Sequence, residues 1–303
     1  MENNKEMGSA LPAGSLTSPV KIIWKKTDAP SMKLHWESAV PFLSFEALDS
    51  LGMFMNAFST RLGGVSTGDE MASMNLSFAR GDDEESVREN FRRMAHSAGF
   101  APEDIVMAAQ THTANVRIVT EEDRGNGITR PKPYTDVDGL ITNVPGLVLC
   151  TSYADCVPLF FADPVKKVIA LSHSGWKGTQ KKIGKVTVEA MTKAFGSRPE
   201  DIYAAIGPSI CQDCYEVSED VIDAFRQAFA RDIWEKIFYA KENGRYQLNL
   251  WEANREVFRE AGITDAHISL PNLCTRCNSA LLYSHRAAGE NEGRLAAFLS
   301  IRS

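Results

Sequence analysis

"ADCVPLFFADPVKKVIALSHSGWKGTQ", residues 154–180, is the stretch on which the reading of this chain turns. Two apolar runs flank the turn "ADP", and the second leads through a histidine into a glycine-rich bend. Short apolar runs without alternation fit strands buried on both faces. Cys156 opens the segment beside Asp155, and His173 ends its second strand. Read singly, each is an interior residue of a sheet protein. Read together, they are two ligands facing one metal.

Upstream, "DGLITNVPGLVLCTSYADCVPLFFADP" (residues 138–164) predicts several buried strands with turns at "NVPG" and "ADP". "GMFMNAFST" (52–60) predicts a strand entering the turn "RLGGVSTGD", and "IVMAAQTHTANVRIV" (105–119) predicts two strands around a polar centre. "IYAAIGPSI" (202–210) is one more strand. Residues 85–100 predict an amphipathic helix with Val87, Phe91 and Met94 on one face. Residues 179–196 predict a helix closing on Gly196, and residues 218–229 and 248–262 two more, the last with Asn249 and Glu252 spaced as a capping box. Helices and strands alternate irregularly, which predicts an α+β fold rather than a doubly wound parallel sheet.

The 303 residues contain no apolar run near the ~20 needed to span a bilayer and no charged-then-apolar leader, so the expectation is a cytoplasmic protein without a membrane partner. The net charge of −6 argues against a broad nucleic-acid surface and leaves room for a local anion pocket. Residues 1–20, rich in Ser, Gly and Pro, predict a flexible tail, and one domain is expected from 30 to 303, with 121–132 as its best loop.

Six cysteines in such a chain suggest free thiols or metal ligands before disulfides. "CQDC" and "CTRC" (Cys211, Cys214, Cys274 and Cys277) could together form a four-cysteine zinc site. The sixty residues between the pairs exceed the usual ribbon spacing, so unpaired, partly buried thiols are expected. "HWE" with "PSICQDC" fails as a zinc-deaminase signature, because Pro208 is not adjacent to the cysteine. "GTQKKIGK" fails as a P-loop, because five residues separate its glycines and Val186 replaces Ser or Thr. A helix N-terminus there, with Lys177, Lys181 and Lys182, would still suit an anion. The alternative is a solvated basic turn. His112 in "AAQTHTANV", Cys156 and His173 all lie at ends of expected strands beside small residues. If they converge, two imidazoles and a thiolate suit zinc or copper and leave a coordination position open. Arg61, at the rim of a Gly-Gly turn, is either solvated or an anion fork.

"AFSTRLGGVS…MNLSF", "AAQTHTANV", "DVDGLIT", "ADCVPLFFADP", "ALSHSGWKGT", "AAIGPSI…CYEV", "CTRCNSALLYSHR" and a late "GR" occur in an order that resembles the polyphenol oxidase/laccase-domain (YfiH-like) family over residues 50–300. The resemblance implies stacked mixed β-sheets between helices, in α/β/β/α layers. It implies a catalytic metal, zinc or alternatively copper, on His112, Cys156 and His173. It also implies phosphorolysis of purine nucleosides (adenosine, inosine, 5′-methylthioadenosine), with adenosine deamination as a second activity. Purine nucleoside and phosphate are then the partners. Arg61, Asp155 and Cys156 become the catalytic candidates, and Arg61, Asn75, Gln110, Lys177 and Arg286 the substrate-binding ones. Asp155 could act as acid or base, orient a ligand, or simply hold a turn. The chain departs from the family pattern at His285 and Ala287, where Tyr and Arg are usual, and at Lys177, where Arg is common. Copper oxidation of phenols and a non-enzymatic metal-binding role are the competing readings. One His-Cys-His set without an H-x-H pair is short of ligands for several coppers.

Overall fold

The computed structural model describes residues 20–25 and 31–303, so the expected tail, apart from Val20, lies outside the described residues. The quoted segment forms the antiparallel strands Val157–Asp163 and Val168–Ser174, with every residue buried. Side chains alternate across a strand. Val157, Leu159 and Phe161 enter a core shared with helices, whereas Phe160 and Ala162 enter a core shared with a second sheet. Both faces are apolar, which is why the sequence shows no polar alternation. Asp163 closes the loop between them, accepting the Val165 and Lys166 amides at 2.8 and 3.0 Å.

This hairpin is the middle of a six-stranded sheet ordered Ile268–Ser269, Tyr203–Ile206, Val157–Asp163, Val168–Ser174, Gly139–Thr142, Val116–Ile118. A second six-stranded sheet runs Met32–His35, Phe42–Phe45, Phe54–Ser59, Leu295–Ile301, Val148–Tyr153, Ile105–Met107. Each mixes parallel and antiparallel pairs. The sheets pack face to face through Phe45, Phe54, Phe58, Leu149, Phe160 and Leu171. Helices Ile183–Phe195, Glu219–Ala228 and Leu250–Glu260 cover the outer face of the first sheet. Helix Glu84–Ala98 covers the outer face of the second through Val87, Phe91 and Met94. The layers are α/β/β/α, as the resemblance implied. Gly99 and Gly196 end their helices at φ +82° and +70°, a left-handed conformation that costs glycine little. The Asn249 side chain caps its helix by accepting the Glu252 amide at 3.1 Å. Val20, Ile22 and Trp24 pack against the inter-sheet core, ahead of the expected domain start at residue 30.

The helix expected over 179–196 is two helices, Trp176–Gln180 and Ile183–Phe195, broken at Lys182 with φ +58°. Lys182 and Lys185 both pair with Glu260, at 2.6 and 3.0 Å, and Lys181 is exposed. The expected anion-binding helix N-terminus therefore reduces to one five-residue turn carrying Lys177.

Of the connections that cross between the two sheets, two position the site. The chain leaves Ile105–Met107 in the second sheet and enters Val116–Ile118 in the first, passing through His112. It leaves Val148–Tyr153 and enters Val157–Asp163, passing through Cys156. Gln110 ties these crossings together, accepting the Ser152 amide at 2.7 Å and donating to the Ser152 carbonyl at 2.8 Å.

Phe160, packed edge-on to Phe45 with centroids 5.5 Å apart, tests the inter-sheet core. Phe160→Ala is expected to lose about 3–5 kcal/mol of unfolding free energy in urea titration. A loss below 1 kcal/mol would mean that the two sheets do not depend on this contact.

Candidate metal centre

His112, Cys156 and His173 converge, with their ligand atoms all within 4.8 Å of one another. Cys156 Sγ lies 3.8 Å from His112 Nε2. The two imidazoles meet edge to face, centroids 4.8 Å apart at 82°. His173 is buried, Cys156 half-buried and His112 exposed, so the group opens to solvent on one side. Gly175 makes room for it: a Cβ there would lie 3.0 Å from both Cys156 Sγ and His112 Cδ2.

Asp138 holds this arrangement, and reading the sequence did not single it out. Its carboxylate is buried and accepts His173 Nδ1 at 2.8 Å. It also accepts the amides of Thr111, His112 and Thr113 at 3.0, 3.1 and 3.0 Å, and the Thr113 hydroxyl at 3.0 Å. Burial opposes its ionisation, but the bonds from His173 and the amides outweigh it and hold the carboxyl well below the usual range. With Nδ1 engaged, His173 presents Nε2 to the centre. The signal was available in "DVDGLIT", where a carboxylate next to a buried strand must find donors.

Burial alone would push the Cys156 thiol up, but the neighbouring His173 and His112 bring it down to about 6. Burial alone would lower His173, but the Cys156 thiolate and Asp138 raise it to about 9. Both shifts run toward the ionised pair, whose thiolate a divalent cation can join by displacing the proton. A soft anionic sulfur with two imidazoles suits zinc or copper, and any side chain at position 175 would crowd two of these three groups. A metal fits these residues.

Two cavities meet at the centre. One, of about 660 Å³, is lined by His112, Cys156, His173, Arg80, Lys132 and Arg294, among others. The other, of about 350 Å³, is lined by His112, Cys156, Trp176, Lys177, Tyr215 and Arg286, among others. Lys177 and Arg286 both line the smaller cavity. Arg286 also donates to the Glu216 carbonyl at 3.0 Å and lies 5.3 Å from the Tyr215 ring.

Other expectations are corrected. Arg61 lines a separate cavity of about 170 Å³ and neither of the two at the centre. Its guanidinium donates to the carbonyls of Ala72 and Ser279 at 2.9 and 3.0 Å and lies 4.6 Å from the Tyr283 ring. These contacts tie the 69–72 loop to the 279–283 stretch, outside the lining of both cavities at the centre. Asn75 is fully buried, donating to Asp82 at 2.8 Å and accepting the Arg294 amide at 3.0 Å, so it braces the cavity wall. Gln110 lines the larger cavity, but its amide is spent on Ser152. Asp155 faces the smaller cavity at φ +77°. Its two oxygens accept the Thr275 hydroxyl at 2.5 Å and the Arg286 amide at 2.7 Å, which fits a turn tie rather than an acid or base. The four cysteines expected to be separate thiols also converge, with sulfurs all within 4.8 Å of one another.

Asp138→Asn removes the negative acceptor of His173. It is expected to weaken metal binding 10–100-fold in competition with a chelator. Unchanged affinity would mean that Asp138 only folds the 111–113 turn.

Residues 55–302 match the family model described as "Multi-copper polyphenol oxidoreductase laccase". The chain is 38% identical over 246 residues to "Purine nucleoside phosphorylase YlmD" of Bacillus subtilis (strain 168), covering 81% of this chain and 87% of that protein. It is 35% identical over 241 residues to "Adenosine deaminase RL5" of an unknown prokaryotic organism, covering 79% and 91%. The crystal structure of YlmD from Geobacillus stearothermophilus superposes with a TM-score of 0.84 at 34% identity, covering 91% of this chain and all of that one. The family-model match, the identity to these relatives and the shared fold agree, and the chain belongs to this laccase-like, YfiH-type family.

Proposed function

We propose that this protein is a zinc-dependent purine nucleoside phosphorylase, with adenosine deamination as a second activity of the same centre. Adenosine, inosine and 5′-methylthioadenosine are its substrates, and one catalytic domain over residues 30–303 carries the chemistry in the cytoplasm. The observation that carries this reading is the meeting of two unlike cavities at His112, Cys156 and His173. Trp176 and Tyr215 give the smaller cavity the flat apolar surfaces that a purine favours. Arg80, Lys132 and Arg294 give the larger one positive charge that suits phosphate, with Lys132 also donating to the Ala108 carbonyl and Arg294 paired with Glu292. The relatives named as purine nucleoside phosphorylases and as an adenosine deaminase support both activities.

In phosphorolysis, a phosphate oxygen bonds to C1′ of the ribose while the C1′–N9 bond breaks. The purine leaves with that electron pair and takes up the proton carried by dihydrogen phosphate. In deamination, water adds at C6 and ammonia leaves. A zinc ion on His112, Cys156 and His173 would supply Lewis-acid polarisation of oxygen at the junction of the cavities. Asp138 keeps His173 in one tautomer and one orientation. Lys177 and Arg286 border the nucleoside cavity and spread negative charge as the base departs. Multi-copper oxidation is disfavoured by the donors. Among the described residues the histidine-containing group is this single trio.

Purified protein with inosine should release hypoxanthine and ribose 1-phosphate in proportion to phosphate. Cys156→Ala should lose the zinc of this centre together with both activities. If the zinc-loaded protein releases no base from any purine nucleoside while the copper-loaded form oxidises phenols, the oxidase reading replaces this one.

The phosphate role passes from Arg61 to Arg80. Its guanidinium meets Glu292 at 3.9 Å, and its Nε has no hydrogen-bond partner among the described residues. Arg80→Ala should weaken apparent phosphate affinity by about 1.5–3 kcal/mol and leave zinc content unchanged. Arg61→Ala should leave phosphate affinity unchanged and lower thermal stability. The reverse pattern in phosphate titrations would restore Arg61 to the site.

A further inference from the structure

Cys211 and Cys214 follow the strand Tyr203–Ile206 in an irregular stretch, and Cys214 ends the short turn Gln212–Cys214. Cys274 and Cys277 lie in a second stretch without helix or strand, residues 270–284. The two stretches run side by side. Ser209 and Cys274 form a parallel bridge, and the Thr275 amide donates to the Ser209 carbonyl at 3.2 Å. All four sulfurs lie within 4.8 Å of one another, and Cys214 Sγ is 3.5 Å from Cys277 Sγ. Disulfide sulfurs stand at about 2.05 Å, so these thiols are unjoined. Zinc–sulfur bonds of about 2.3 Å in a tetrahedron set the sulfurs roughly 3.8 Å apart. The observed spacing brackets that value.

The surroundings also suit ligated thiolates. The amides of Cys211 and Cys277 point at Cys274 Sγ, at 3.3 and 3.5 Å. Such N–H···S contacts favour an anionic sulfur. Lys25 comes from the N-terminal segment to pair with Asp213 at 2.9 Å, so a cation stands beside the cluster. The same segment is tied down by Asn278, which accepts the Ile23 amide at 2.7 Å and donates to its carbonyl at 3.1 Å. Three segments without extended secondary structure thus meet at four sulfurs.

We propose that Cys211, Cys214, Cys274 and Cys277 bind a second zinc ion, closed and structural, distinct from the His112–Cys156–His173 centre. Four sulfur donors leave no position for substrate. The ion cross-links the stretch around 209–215 to the stretch around 272–278. Those stretches border the smaller cavity: Ile210 and Tyr215 line it, and Thr275 fixes Asp155, the neighbour of Cys156. The ion therefore braces one wall of the site without touching the reacting atoms.

Elemental analysis of the full chain tests this. The unmodified protein should carry two zinc equivalents, and Cys274→Ser and Cys156→Ala one each, lost from different places. Alkylation mapping of the unmodified protein needs no variant. Cys214 and Cys277 are only half-buried, so burial alone would not shield them. With zinc bound they should resist iodoacetamide, and after chelation they should react many-fold faster. Full zinc retention in Cys274→Ser, equal alkylation of Cys214 and Cys277 with and without zinc, or recovery of the four cysteines as disulfides or with iron would each overturn the proposal. None of these results bears on the phosphorylase reading, which stands or falls with Cys156→Ala.

Discussion

The Asp138 carboxylate is the constraint on which the rest of the site depends. It sits at zero exposure beside the strand Gly139–Thr142, where an uncompensated charge would be prohibitively costly. Three consecutive amides, one hydroxyl and the His173 ring satisfy it. To supply those amides, the 111–113 turn must wrap around the carboxylate, and His112 takes φ +66° in doing so. The same bonds that neutralise a buried charge therefore aim one imidazole and set the backbone of another.

Cys156 joins them because the chain crosses between the sheets twice at one end of the sandwich. Gln110 pins one crossing to Ser152 at the other, which fixes the separation of His112 and Cys156. Gly175 leaves the gap that any larger residue would fill. The metal centre is a product of sheet packing as much as of ligand choice. Its stiffness comes from strands buried on both faces, where close packing resists displacement.

The chain's cations divide by what they are already bonded to. Arg61 is held by carbonyls and an aromatic ring, and Lys182 by Glu260. Arg80 is held loosely, and Lys177 lies over Trp176 at 5.6 Å at the rim of the smaller cavity. A guanidinium with its donors spent has little left for phosphate. The four cysteines follow the opposite course. Separated by sixty residues, they come together because the parallel Ser209–Cys274 bridge brings their turns into register.

The sequence by itself determined the α+β class, while the α/β/β/α layering was implied by the family resemblance and is seen in the sheets and helices. Unbroken apolar runs bounded by turns fit strands buried on both sides, and the apolar faces of residues 85–100 and 179–196 fit covering helices, the second of which is broken at Lys182. It also placed His112, Cys156 and His173 at strand ends among small residues, from which they could converge. What it could not carry was the employment of polar side chains. The donors that Asp138 of "DVDGLIT" finds were not legible, and Arg61, Asn75 and Asp155 looked available, because hydrogen-bond partners are set by contacts across 25, 218, 219 and 120 residues. The break at Lys182 was equally hidden, since Lys182 and Lys185 turn toward Glu260 on a helix more than seventy residues away. Local pattern fixes which face of an element is buried. Only the tertiary structure decides which donors and acceptors are already satisfied, and therefore which remain for a ligand.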